Sequence, residues 1–210
     1  MGVPDHDRWN INIHYHGLLA DAVADADADT VLDIGCGEGM LARRLRRRAS
    51  RVTGIDLHEP SIELARAQSP DGDITYIHGD ALEYPFAPAS FDGIVSVATL
   101  HHMDAEAGLT RMRELLRPGG TLAVVGFAQS TLPRELPMVA ASVLAYAGVR
   151  LVRRKQWAHP SPIVWPPPET YAGMRRLAER VLPGARFRRH LLLRYSIVWT
   201  DPGQKRAGKR

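Results

Sequence analysis

Thr30-Val31-Leu32-Asp33-Ile34-Gly35-Cys36-Gly37-Glu38-Gly39 decides the architecture of this 210-residue chain. Val31, Leu32 and Ile34 make a short apolar run, as a parallel strand covered on both faces requires. Three glycines follow at alternate positions. Glycine accepts the positive φ of a sharp turn, and without a Cβ it lets backbone approach a ligand closely. The spacing predicts a helix over 40–49, whose first turn offers free backbone N–H groups at the same place. A strand, a glycine turn and a helix in this order suit a nucleotide-like ligand.

Working outward, strands are expected at 52–56, 73–78, 90–97 and 121–127. Helices are expected at 61–67, with Pro60 near its start, and at 104–116, stopped by Pro118-Gly119-Gly120. Alternation at this spacing means βαβ units, a parallel sheet and, through right-handed crossovers, helices on both faces. A helix over 169–181 and a closing pair of strands at 187–192 and 194–200, read as antiparallel, complete a doubly wound α/β domain. That domain covers 30–210, with a cap-like insertion at about 128–168 and a disordered tail from about 202. Residues 1–29 form an N-terminal arm: a mixed aromatic and polar segment over 7–16, then a helix at 17–24. Ligands of such sheets bind beyond the carboxyl ends of the strands. The residues there are 35–39, Asp56, Asp80 and 98–103.

The turn itself discriminates between nucleotides. A dinucleotide fingerprint is Gly-x-Gly-x-x-Gly. Here the third glycine comes one position early, and Met40 stands where it belongs. Asp33 precedes the turn by two residues, where a carboxylate would repel a pyrophosphate. It would attract a cationic ligand. Asp56, at the end of the next strand, is placed to accept hydrogen bonds from ribose hydroxyls.

Five motifs in order resemble one family, the class I S-adenosylmethionine-dependent methyltransferases. Val31–Gly39 is similar to its first motif. Gly54-Ile55-Asp56-Leu57-His58-Glu59-Pro60-Ser61 resembles its ribose-binding strand, and His78-Gly79-Asp80-Ala81-Leu82 its adenine-binding turn. Phe91-Asp92-Gly93-Ile94-Val95 followed by Leu100-His101-His102-Met103 looks like its fourth strand and the loop behind the methyl donor. Leu115-Leu116-Arg117-Pro118-Gly119-Gly120-Thr121-Leu122 looks like its turn into the fifth strand. The resemblance implies a Rossmann-like, mostly parallel seven-stranded sheet with one antiparallel strand, and S-adenosyl-L-methionine as cofactor. It places Asp33, Gly35, Cys36, Gly37, Gly39, Asp56, Leu57, Asp80, Ala81 and Ala98 around that cofactor. The reaction implied is methyl transfer to oxygen or nitrogen. Two other readings compete: a catalytically silent cofactor-binding module with the same fold, and an NAD-dependent oxidoreductase.

For an acceptor that must lose a proton, His102 and then His101 are the candidate bases, since imidazole titrates in the useful range. Candidate acceptor contacts are His14 and Tyr15 on the arm, His102, and Trp165 in the insertion. The insertion is apolar and aromatic, which suits a small lipophilic or aromatic acceptor. Its apolar run 136–149, followed by Arg150, Arg153, Arg154 and Lys155, is too short to span a bilayer, which takes about 20 residues. It reads first as a cap helix over the acceptor pocket, then as plain core packing, and last as a membrane-surface helix in peripheral contact. No metal-ligand spacing occurs. The net charge of +4 rests on 24 Arg against 3 Lys. Those charges lie in local runs without interleaved aromatic residues, which does not favour nucleic acid. A lone cysteine and no signal-peptide pattern at the start suggest the cytoplasm. The oligomeric state is not legible.

Overall fold

The computed structural model describes residues 4–131, 133, 135–152, 157 and 165–203. The sheet runs through β1 (Thr30–Ile34), β2 (Arg51–Asp56), β3 (Ile74–His78), β4 (Phe91–Val97), β5 (Leu116–Gly126), β6 (Arg186–His190) and β7 (Arg194–Thr200). Their order across the sheet is β3-β2-β1-β4-β5-β7-β6, and β7 alone runs opposite to the other six strands. This is the expected seven-stranded arrangement. It puts β1 and β4 at the centre, where the chain switches direction across the sheet.

Alternating side chains of the central strands feed two cores. Leu32, Ile34, Ile94, Leu122 and Val124 pack against α5 (Ala105–Leu115) and α7 (Tyr171–Val181), through Leu109, Met112, Met174 and Leu177. Val31, Val95, Ala123 and Val125 face α2 (His16–Asp25), α3 (Met40–Leu45) and α4 (Glu59–Ala67), through Leu19, Val23, Leu41, Leu45 and Ile62. Asp33 shares the Val31 side of the strand by the two-residue period. It pairs with Gly54 on one flank and Val95 on the other.

Several boundaries depart from the sequence reading. The arm segment is helical: Asn10 Oδ1 accepts from Ile13 N at 2.8 Å and caps α1 (Ile11–His14) just ahead of α2. The helix after the glycine turn stops at Leu45 rather than 49. Arg43 opposes Arg47 and Arg44 opposes Arg48 four residues apart, a spacing at which like charges weaken a helix. The fifth strand begins at Leu116, which pairs with Phe91 across a register shift. The expected helix stop at 118–120 is therefore an irregular strand start, with Gly119 at φ +82°. The sixth strand ends at His190 because Leu192 and Leu193 turn the chain with φ of +58° and +53°.

The apolar run forms α6 (Leu136–Val152). Among its described side chains only Ser142 is buried, whereas Leu144 is 73% and Leu151 83% exposed. The core reading of this run does not hold. Its attachments are polar: Ser142 Oγ accepts from Leu193 N at 3.4 Å, and Glu135, just before it, pairs with Arg189 at 2.9 Å. Both anchor it over the β6–β7 turn. Residues 153–156 and 158–164, which hold most of the basic run and the proline-rich connector, lie outside the described residues, as does the tail from 204. Among the described residues no helix is long and apolar enough to cross a membrane.

Candidate active site

The glycine turn leaves β1 with Gly35, Gly37 and Gly39 at φ of +73°, +53° and +77°. All three need glycine, for different reasons. A Cβ on Gly35 would lie 2.0 Å from Thr99 Oγ1, and one on Gly39 would lie 2.4 Å from Tyr76 Oη. A Cβ on Gly37 would meet nothing within 4 Å. The expectation that all three admit a ligand is thus narrowed to Gly37, with the outer two packed against the protein itself. Gly39→Ala should cost about 2–4 kcal/mol, from positive φ plus overpacking. Gly37→Ala should cost about 1 kcal/mol, from φ alone. Urea unfolding of the pair would check the difference, and equal losses would contradict it.

Asp33 is 1% exposed and its Oδ2 has no hydrogen-bond partner among the described residues. Burial, and secondarily the Asp56 carboxylate, push its pKa from 3.8 up to about 8. A buried acid held in this way lacks a cation. Asp56 at the end of β2 accepts from Gly37 N through Oδ2 and from His58 N through Oδ1, both at 2.8 Å. Those bonds fix the carboxylate at the mouth of the turn. Leu57 beside it is 63% exposed, an apolar surface at a strand end. Asp80 Oδ1 accepts from Leu82 N at 2.9 Å, and Ala81 is buried beneath. Ala98 caps β4 in the left-handed region at φ +52°, its N–H donating to Val125 O at 2.7 Å. Cys36 is buried and its thiol pKa is raised, first by burial and then by Asp33 and Asp56. It stays a neutral packing group against Gly54, where a Cβ would sit 2.8 Å from its Sγ.

Beyond Ala98 a single 3-10 turn, Leu100–His102, carries both histidines. Their ring centroids are 4.0 Å apart. His102 is exposed; burial lowers its pKa, and the Asp56 charge opposes that. His101 packs at 4.1 Å on Phe127, which follows β5, and its Nδ1 is buried without a partner among the described residues. Burial, then His102 and Arg194, hold its pKa near 3, so it is neutral. His102 therefore belongs to the Asp56 side and His101 to the far side of the same turn.

Of the expected acceptor residues, Trp165 lies on that far side, with three residues that sequence reasoning missed, while His102 stays on the Asp56 side and His14 and Tyr15 remain with the arm. Trp165 lies parallel to Phe127 at 6.1 Å, though 73% exposed. His14 stands edge-on to Tyr15 at 4.9 Å. Tyr15 is buried and its hydroxyl donates to Leu191 O at 2.6 Å, so it acts here through its ring. Phe127, Tyr171 and Arg194 were not foreseen. One signal was available for Arg194. It opens the antiparallel strand β7, so it must lie at the carboxyl end of β5, where Tyr195 pairs with Gly126.

The arm and the insertion also meet the glycine turn. Glu38, buried in that turn, accepts from Trp157 Nε1 at 2.6 Å and pairs with Arg8 at 3.3 Å. Arg8 lies 4.1 Å over the Trp157 ring, and Trp157 N donates to Trp9 O at 2.8 Å. Arg43 Nη1 donates to Glu38 O at 2.7 Å.

An acid whose Oδ2 has no partner among the described residues, beside a left-handed glycine turn and with further acids at the ends of β2 and β3, suits a cationic nucleoside. A family model described as "methyltransferase domain" matches residues 32–124. An uncharacterized methyltransferase of Mycobacterium tuberculosis is 40% identical over 195 residues, 92% of this chain and 98% of that protein. The chain belongs to the class I S-adenosylmethionine-dependent methyltransferases. A fatty-acid O-methyltransferase of Mycolicibacterium smegmatis is 33% identical over 128 residues, 57% of this chain and 46% of that one. A crystal structure of an S-adenosylmethionine-dependent methyltransferase from Mesorhizobium loti superposes with a TM-score of 0.60 at 20% identity, covering 88% of this chain and 96% of that one. Membership makes this methyltransferase an enzyme that uses S-adenosylmethionine. It does not agree with the nicotinamide reading. Among the described residues no cluster of metal-ligating side chains occurs.

Proposed function

We propose that this methyltransferase transfers a methyl group to a small, lipophilic acceptor, with oxygen as the acceptor atom. The observation that carries the site assignment is the buried Asp33 carboxylate with its unpartnered Oδ2. It fits a cofactor bearing an ammonium and a sulfonium. Gly37 leaves open space over the turn, Asp56 is the ribose acceptor, and Leu57, Asp80 and Ala81 form the adenine end. Gly35, Gly39 and Cys36 shape the turn from behind, and Ala98 directs the chain past the methyl end.

The cofactor supplies an already activated methyl, so the chain's work is positioning and exclusion of water. His14, Tyr15, Phe127 and Trp165 make an apolar, aromatic acceptor end beside the 3-10 turn. α6 stands over the neighbouring β6–β7 turn as a cap. For a hydroxyl acceptor His102 is the proton acceptor, because it is exposed and burial lowers its pKa, which keeps the imidazole neutral and able to take a proton, while the Asp56 charge opposes that shift and steadies the proton once taken. His101, held neutral, lines the acceptor side. The oxygen assignment is supported by the O-methyltransferase among the relatives.

Calorimetric titration with S-adenosylmethionine tests the site. The unmutated protein should bind it. Asp56→Ala should bind about 10-fold or more weaker, the cost of losing charged hydrogen bonds. Equal affinities would remove Asp56 from the cofactor site.

A further inference from the structure

We propose that the acceptor carries a carboxylate that seats on the Arg194 guanidinium, between the Tyr171 hydroxyl and the His101 Nδ1 atom. This rests on the acceptor end described above and names the chemical class that end receives.

Among the described residues Arg194 is a cation without a carboxylate counter-charge. Its guanidinium donates to Asn12 Oδ1 at 3.0 and 3.3 Å and to the carbonyl oxygens of Leu192 and Leu193 at 3.3 Å. All four bonds end on neutral oxygens. Among the described residues no Asp or Glu pairs with it, and the groups that act on its charge are Tyr15 and Tyr171. It lies 4.9 Å over the Phe127 ring, and burial lowers its pKa to about 10. The neighbouring Arg189 differs: it stacks at 3.9 Å on Tyr171 but pairs with Glu135 at 2.9 Å. Among the described residues the cluster keeps one net positive charge.

Two further polar groups in the cluster lack a hydrogen bond of ordinary geometry among the described residues. Tyr171 is 2% exposed, and its hydroxyl, which interacts with the Ala128 backbone, makes no hydrogen bond of ordinary geometry among the described residues. The buried Nδ1 of neutral His101 is likewise unpartnered. Desolvated polar groups and charges are costly unless a ligand satisfies them. Guanidinium and carboxylate match in shape as well as charge. One negative charge balances the cluster, whereas a phosphate dianion would overcharge it. Phe127, Tyr15 and Trp165 around the charge call for an apolar body behind the carboxylate. An apolar monocarboxylic acid meets all of these demands.

Calorimetry on the full chain saturated with S-adenosylhomocysteine tests this with dodecanoate, methyl dodecanoate and dodecyl phosphate. Dodecanoate should bind at least about 10-fold tighter than its ester or the phosphate. Arg194→Met keeps the apolar stem and should abolish that preference while leaving the affinity for S-adenosylhomocysteine unchanged. Tyr171→Phe removes only the hydroxyl and should weaken dodecanoate about 5-fold, roughly one hydrogen bond. Equal binding of acid and ester, a retained preference in Arg194→Met, or tighter binding of the phosphate would overturn the proposal. No dodecanoate binding by a protein that does bind S-adenosylhomocysteine would overturn it too. Failure of the unmutated protein to bind S-adenosylhomocysteine would instead strike the cofactor site.

Discussion

Asp33→Asn should make the cofactor-free enzyme more stable at pH 9 and cripple its affinity for S-adenosylmethionine. Both effects follow from one buried carboxylate with an unpartnered oxygen. Its pKa is about 8 in the folded chain against 3.8 ordinarily, raised first by burial and then by Asp56. Between those values the native state holds a proton that the unfolded chain has lost. Stability therefore falls as pH rises from about 4 to about 8, and the full penalty is present above pH 8. Asparagine carries no such penalty. The two proteins should melt together near pH 4 and diverge progressively up to pH 8–9, with the variant higher. A bound cation reverses the sign, because it stabilises the ionised acid that the empty site disfavours. Affinity of the unmutated enzyme should climb with pH up to about 8, and binding below that should release a proton, visible as a buffer-dependent enthalpy. Removing one partner of a buried charge pair costs about 2–3 kcal/mol at the low end, roughly 30- to 150-fold in Kd. An Asp33→Asn protein that binds as tightly as its parent, or that gains no stability at pH 9, would break this account.

The same residue shows why the sheet and half of the site were legible. Val31, Leu32 and Ile34 could serve only a strand buried on both faces, and Asp33 in such a run has no structural use that burial would tolerate. Asp56 and Asp80 follow at successive strand ends, so the sheet's own period carries them to one edge. The acceptor side had no such guide. Arg194 and Tyr171 stand more than sixty residues beyond the 3-10 turn: the antiparallel placement of β7 brings Arg194 to this end of the sheet, and the bridge between Gln129 and Thr170 brings Tyr171 at the start of α7. The glycines were read correctly as glycines but for partly the wrong reason. Close approach of a ligand and close approach of Thr99 or Tyr76 demand the same missing Cβ, and the residue type cannot separate them. The run that forms α6 left its alternatives open. Its apolar residues surround the helix, so no period marks the face that is covered, and the exposed leucines could be known only from the packing.

Glu38→Ala should unfold the enzyme at a temperature about 6–12 °C below its parent. In the sequence this residue is only a spacer between two glycines. In the fold it ties three segments together: it bonds Trp157 Nε1, 119 residues away, pairs with Arg8 from the arm, and is approached by Gln68 Nε2 at 3.4 Å. The Arg8 and Glu38 side chains are only 6% and 2% exposed, so solvent does little to screen them. Truncating one member of a buried pair costs about 3–5 kcal/mol, because the remaining charge is left in a poor solvent. Arg8 retains Asp5 at 3.4 Å and Gln68 Oε1 at 2.9 Å, which favours the lower figure. For a chain of this size about 3 kcal/mol corresponds to the stated shift in Tm. Glu38→Gln keeps an oxygen for the Trp157 indole but loses the charge, and should fall between the two. The truncation also removes the bond that seats Trp157 on the turn, so the tryptophan emission of Glu38→Ala should shift to the red while that of Glu38→Gln shifts less. A Tm within about 2 °C of the parent, with unchanged emission, would mean that the arm and Trp157 rest on the turn without supporting it.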